Sequence, residues 1–162
     1  MAESEMQFVK ADLNDLRVQM LLQTHSTRAL ANARCREGHA LDLDALRQPD
    51  IEVHAVLFDD KPVAVGALRT IDATHGELKS MFVADDARGQ GLGRKLLAHL
   101  VERARARGMT RLSLETGASD YFDAARSLYV RNGFEVCEAF ADLPPHDDSV
   151  FMTREIGPGR LR

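Results

Sequence analysis

The chain has 162 residues, 44% of them hydrophobic and 28% charged, a balance that builds a packed core and excludes intrinsic disorder. Twenty-one Lys and Arg stand against 25 Asp and Glu for a net charge of −4, which disfavours nucleic acid and anionic membrane as partners. Apolar runs are only a few residues long, against the ~20 needed to span a bilayer, and Met1 to Glu5 carry neither the basic nor the apolar part of a secretory signal.

Two cysteines, Cys35 and Cys137, have no motif around them and read as free thiols of a reducing cytoplasm. Six histidines show no metal-ligand spacing, so no metal is expected. There is no internal repeat or linker, and residues 1–156 read as a single domain followed by a frayed tail, 157–162.

Met6 to Lys10 reads as a short strand. Asp12 or Asn14 can cap a helix that carries Leu13, Leu16, Met20 and Leu21 on one side, and Asp42 to Arg47 reads as a second, short helix stopped by Pro49. Ile51 to Phe58 and Val63 to Leu68, joined by the turn Asp59 to Pro62, form an antiparallel hairpin. Glu77 to Val83 is a further strand. Gly91 to Arg107 is the clearest helix, with Leu92, Leu96, Leu97, Leu100, Val101 and Ala104 in one stripe and Gly108 as its stop. Thr110 to Glu115 is a strand with Leu112 and Leu114 on one face. Tyr121 to Arg131 is a helix ended by Asn132-Gly133, and Phe134 to Glu138 and Ser149 to Glu155 are the last strands. This order of elements makes a mixed α/β sheet.

The run Arg88-Gly89-Gln90-Gly91-Leu92-Gly93 lies between a strand and the strong amphipathic helix. Alternate glycines leave backbone N–H groups uncovered, and the helix adds its unpaired N–H groups and positive dipole end at the same point. Such a loop suits a pyrophosphate, with Arg88, Arg94 and Lys95 supplying full charge beside it. A dinucleotide fingerprint needs glycine where Arg94 stands, and no run fits a P-loop. A nucleotide-phosphate enzyme would also need magnesium-holding residues, which are missing here.

Met81-Phe82-Val83 followed by this glycine run, and then Ala125 to Phe134 with Leu128, Tyr129 and Gly133 at fixed offsets, resemble the two motifs of the GNAT N-acetyltransferases. The resemblance covers Met6 to Glu155 and points to small bacterial single-domain members. It implies the GNAT acyl-CoA N-acyltransferase fold: a mixed, mostly antiparallel sheet with a splayed central parallel pair and about four helices. The implied activity is transfer of an acetyl group from acetyl-CoA to a primary amine of a small molecule or peptide, with no covalent enzyme intermediate.

By that resemblance the main chain of Met81 and Val83 holds the pantetheine arm, and Arg88, Gly89, Gln90, Gly91, Leu92, Gly93 and Arg94 hold the pyrophosphate. An N–H of Phe82 or Val83 polarises the thioester carbonyl. Glu77 matches a position used for a general base, against the alternative of a solvated edge-strand carboxylate. Tyr129 matches the tyrosine that protonates the departing sulfur, against the alternative of a packed tyrosine with its hydroxyl tied up. Phe122 stands where many relatives have an asparagine on the cofactor, so that contact is not carried over.

By the same resemblance acceptor selectivity is expected from Arg28 to Arg47, Thr70 to Gly76 and Ala139 to Asp148. The first carries Arg28, Arg34, Arg36 and Arg47 and the last Asp142, Asp147 and Asp148, a pattern suited to an amino-acid-like acceptor or to plain surface charge. Family members of this size often form homodimers. The alternative on the same scaffold is a non-catalytic module that binds or senses acyl-CoA.

Overall fold

The computed structural model describes residues 5–33 and 41–157. Its strands are β1 (Met6–Lys10), β2 (Ile51–Phe58), β3 (Lys61–Thr70), β4 (His75–Val83), β5 (Arg111–Gly117), β6 (Glu135–Cys137) and β7 (Ser149–Glu155). They form one seven-stranded sheet in the order β1-β2-β3-β4-β5-β7-β6, antiparallel everywhere except between β4 and β5. The helices among the described residues are α1 (Leu16–Ala31), α2 (Leu43–Leu46), α3 (Leu92–Ala106) and α4 (Asp123–Arg131). This is the mixed, mostly antiparallel sheet with one parallel pair that the family resemblance implies.

Two cores sandwich the sheet. On one face the whole predicted stripe of α3 is buried against Leu68, Leu78, Leu112, Leu114 and Met152. A parallel pair needs a crossover connection, and α3 supplies it between β4 and β5. On the other face Val18 and Leu22 of α1 and Leu46 of α2 pack on Val53, Ala55, Val65, Ala67 and Phe82.

Several local expectations need correction. Asp15, rather than Asp12 or Asn14, caps α1, its carboxylate accepting from the Arg17 N–H at 2.9 Å. Asp12 instead closes the preceding turn by accepting from the Asn14 N–H. Leu16 and Met20 are 71% and 67% exposed, so the face of α1 that packs is that of Val18 and Leu22. Tyr121 and Phe122 belong to a 3₁₀ turn, Asp120–Phe122, and α4 begins one residue later. Arg34, Cys35 and Arg36 and the tail residues 158–162 lie outside the described residues.

The feature that shapes the site is in β4. Val65 pairs with Phe82 and Ala67 pairs with Lys79, so Ser80 and Met81 together oppose Gly66. This is a β-bulge, and Ser80 adopts φ 57 to make it. Gly66 is required opposite, because a Cβ there would stand 2.6 Å from the Met81 sulfur. A bulge bends its strand, and the parallel pairing of β4 with β5 runs only from His75↔Arg111 to Leu78↔Leu114. Beyond Leu78 the two strands no longer pair, which leaves a gap in the hydrogen-bond ladder between residues 79–83 and 115–117.

Candidate active site

The glycine loop sits at the mouth of that gap. A 3₁₀ turn, Asp85–Ala87, leads from β4 to Arg88, and Gly91 is the N-cap residue of α3. Gly89 and Gly91 take φ of 80 and 75, conformations that side chains resist, and a Cβ on either would meet nothing within 4 Å. No side chain caps the first N–H groups of α3. The loop is thus an open cradle of backbone donors at the positive end of a 15-residue helix, the arrangement that a diphosphate fits.

A cleft of about 480 Å³ opens from the cradle, lined by Val83, Arg88, Gly91, Arg94, Leu128 and Asn132 among others. Leu92 is buried and anchors the loop to the core, while Gln90 stands exposed at its crest. Gly93 faces α4 and β4: a Cβ there would make ordinary contact with Leu128 at 3.4 Å and Val83 at 3.9 Å. The bulge reverses the alternation of side chains, so Phe82 joins the α1-side core while Met81 and Val83 face α3. What Lys79–Val83 present to the gap is therefore main chain. Arg88 lies over the Phe82 ring at 5.8 Å from its centroid, 3.5 Å from Asp85, and its Nε donates to the Val83 carbonyl at 3.4 Å.

Tyr129 is 6% exposed, on the α3 side, with its ring edge-on to Phe134 at 5.7 Å. Burial pushes the phenol pKa up, so the hydroxyl keeps its proton throughout the neutral range. Among the described residues only the Thr70 hydroxyl is sealed from solvent without a partner. The Tyr129 hydroxyl also has no hydrogen-bond partner among the described residues, and it is not sealed from solvent.

Glu77 does not open a strand or lie on an edge. It is the third residue of β4, flanked by β3 and β5, and only 4% exposed, which rules out a solvated edge carboxylate. Gly76 and Leu78 face α3, so Glu77 points to the opposite side of the sheet. There Arg69, its register partner on β3, donates from Nε to Oε1 at 2.6 Å. His75 shares that face: its Nε2 is 2.7 Å from the Ser113 hydroxyl, which is 2.8 Å from that of Thr153. Burial pushes the His75 pKa down, so the ring is neutral at pH 7. Phe140, from the connection between β6 and β7, lies 5.8 Å from the His75 ring and edge-on to Phe151 at 5.7 Å.

The charges expected to read the acceptor are placed differently. Arg28 makes a bidentate pair with Asp85 at 2.6 and 2.7 Å, and Arg47 is taken by Asp44 and Asn14. Asp142 comes to 3.7 Å from Arg69. Sequence reasoning missed Arg69 and placed His75 in a polar connection, Thr70 to Gly76, whereas Thr70 ends β3 and His75 begins β4, and the side-chain partners of both lie on neighbouring strands. Cys137 is a free thiol whose pKa burial raises, which makes it a poor nucleophile. No helix among the described residues is long and apolar enough to cross a membrane.

Known proteins match along the same elements. The chain is 38% identical over 145 residues to the uncharacterized N-acetyltransferase YsnE of Bacillus subtilis, covering 90% of this chain and 96% of that protein. It is 38% identical over 144 residues to the uncharacterized N-acetyltransferase YedL of Escherichia coli, covering 88% and 91%. The fold superposes with a TM-score of 0.68 on a GNAT acetyltransferase from Elizabethkingia anophelis solved with acetyl-CoA bound, 18% identical, covering 93% of this chain and 97% of that one. Residues 18–134, which span the bulged strand, the glycine cradle and Tyr129, match the family model described as the acetyltransferase (GNAT) family, and the chain belongs to that family.

Proposed function

We propose that the protein transfers an acetyl group from acetyl-CoA to a primary amine by direct attack on the thioester. The observation that carries this reading is the open cradle of Gly89–Gly93 at the uncapped start of α3, set at the mouth of the gap between β4 and β5. Acetyl-CoA, when bound, supplies an activated acyl carbon and a thiolate leaving group. The cradle, with Arg88 and Arg94, holds the diphosphate, and the main chain of Met81 and Val83 pairs with the pantetheine arm as an added strand would. The N–H of Phe82 or Val83 polarises the carbonyl.

An alkylammonium with a pKa near ~10.4 must lose a proton before it can attack. Glu77 takes that proton, directly or through a water, with the oxygen that Arg69 leaves unoccupied. As the C–N bond forms and the C–S bond breaks, Tyr129 donates a hydrogen bond to the departing sulfur. A thiol near ~8.5 is more acidic than a phenol near ~10, and burial widens that difference. Tyr129 therefore stabilises the developing thiolate by donation, and solvent completes its protonation. A cytoplasmic location and a homodimer complete the proposal, on cysteine usage and family resemblance respectively.

The test is thiol release from acetyl-CoA in the presence of an amine panel, repeated with Tyr129→Phe. The substitution lowers kcat by roughly 10²-fold, the lower range for losing one hydrogen-bond donor to developing charge, with little change in KM for acetyl-CoA. Unchanged turnover would remove Tyr129 from the chemistry. No turnover with any amine, despite CoA binding, would refute transfer itself.

A further inference from the structure

We infer that the acceptor is a free α-amino acid with an apolar side chain, whose carboxylate takes the outer edge of Arg69 in place of Asp142. The inference rests on the transferase reading above and names the class of its second substrate.

The Arg69 side chain is 19% exposed, yet among the described residues its guanidinium makes a single hydrogen bond, from Nε to Glu77. Arginine carries five N–H donors, and a half-buried guanidinium normally spends most of them. Its outer nitrogen, Nη2, meets only Asp142 Oδ1 at 3.7 Å, too long for a hydrogen bond. Asp142 is 85% exposed and follows Ala141, which sits at φ 53 in the connection from β6 to β7. A carboxylate is therefore already drawn to this edge, but it is held loosely and can return to water at little cost. Arg69 and Glu77 are held by register pairing in the sheet and are much more rigid.

Glu77 shows the complementary gap: Oε1 accepts from Arg69, and Oε2 has no protein partner among the described residues. A cationic fork and an anionic oxygen thus lie side by side on one face. An α-amino acid carries its carboxylate and its ammonium on a single carbon, so its two charges have the same close spacing. The carboxylate meets the guanidinium fork, and the ammonium is left against Glu77, the group that removes its proton. Polyamines, lysine side chains and peptide N-termini have no carboxylate at that distance. Phe140 and Phe151, packed edge-on beside His75, provide the apolar wall for the remaining side chain.

The experiment compares L-leucine, L-leucinamide and 3-methylbutylamine as acceptors by thiol release, with spermidine as a cationic control. Leucinamide has the less basic amine, so intrinsic reactivity favours it. A kcat/KM for leucine at least about 10-fold above both analogues is the expected result. Arg69→Gln would strand Glu77 without its partner and can harm folding, so the decisive variant is D142N. Removing the resident carboxylate raises the leucine-to-leucinamide ratio about two- to five-fold, the range for one exposed ion pair. Equal or better use of the amide and amine overturns the inference while leaving acetyl transfer intact. So does a spermidine preference that D142N abolishes, which would assign the face to a cation. Absence of thiol release with every amine overturns the transferase reading and this one with it.

Discussion

Gly91→Ala, matched against Gly108→Ala, separates the work of the glycine cradle from the cost of changing a glycine. Gly91 and Gly108 have φ of 75 and 86, and a Cβ on either would find no atom within 4 Å. Both substitutions therefore impose the same backbone penalty and no clash. A left-handed alanine costs about 1–2 kcal/mol. In a domain of this size each kcal/mol lowers Tm by about 2–4 °C, so both variants lose roughly 2–8 °C. Only Gly91 faces the proposed diphosphate. Backbone N–H groups hold an anion at about 2.9 Å, a distance that leaves no room for a methyl group between them. Losing one such charge-assisted bond costs about 1.5–3 kcal/mol, or roughly 10- to 150-fold in Kd. Calorimetric titration with CoA, alongside thermal unfolding, measures both quantities. If Gly91→Ala binds CoA as tightly as Gly108→Ala at the same loss of Tm, the cradle does not hold the diphosphate.

Two further perturbations test the scaffold. His54 is buried between Glu52 and His99, with Nε2 3.4 Å from the Glu52 carboxylate and Nδ1 3.0 Å from His99 Nε2. Lys10, Arg103 and Arg107 surround Glu52, and Phe8 stacks on His99. Burial holds the His54 pKa below its ordinary value, and the neighbouring His99 adds to this. The unfolded chain thus binds the proton first, and stability present above pH ~6.5 falls as pH drops, by up to ~1.4 kcal/mol per pH unit for this histidine. Burial lowers His25, His75 and His99 in the same direction, so urea midpoints between pH ~7.5 and ~5.5 should fall with a summed slope, and His54→Gln should reduce that slope by one histidine's share; an unchanged slope refutes the assignment. Separately, a Cβ on Gly117 would stand only 2.1 and 2.2 Å from two carbons of the Phe122 ring. Gly117→Ala should cost about 1–3 kcal/mol, and Phe122→Ala should relieve much of it in a double-mutant cycle. Additive losses would mean that the two do not touch.

Helix α3 was legible because its apolar stripe is long, and all six of its predicted residues are buried on one face. The hairpin of β2 and β3 was legible because both strands are apolar runs broken at Asp59-Asp60. The packing face of α1 was not. Its apolar residues are spread around the helix, so Leu16 and Met20 had the same formal claim as Val18 and Leu22. Contact with Val65 and Phe82 decides between them, and that contact depends on where β3 and β4 lie in the sheet.

The two halves of the candidate site differ in the same way. The proposed diphosphate cradle is made by six consecutive residues and a helix start, so spacing alone displays it. The proposed acceptor face is made by register: Arg69 reaches Glu77 only because the β3–β4 hairpin pairs them, and Ser113 reaches His75 only through the parallel pairing of β4 with β5. The bulge is equally hidden, because Ser80 is an ordinary residue and the accommodating glycine, Gly66, lies on the other strand. That bulge sets where the β4–β5 pairing ends and carries Phe82 to the α1 side of the sheet, the proposed acceptor side. Local sequence can therefore encode a shared cosubstrate across many relatives, while the choice of amine rests on pairings that change with a single shift of register.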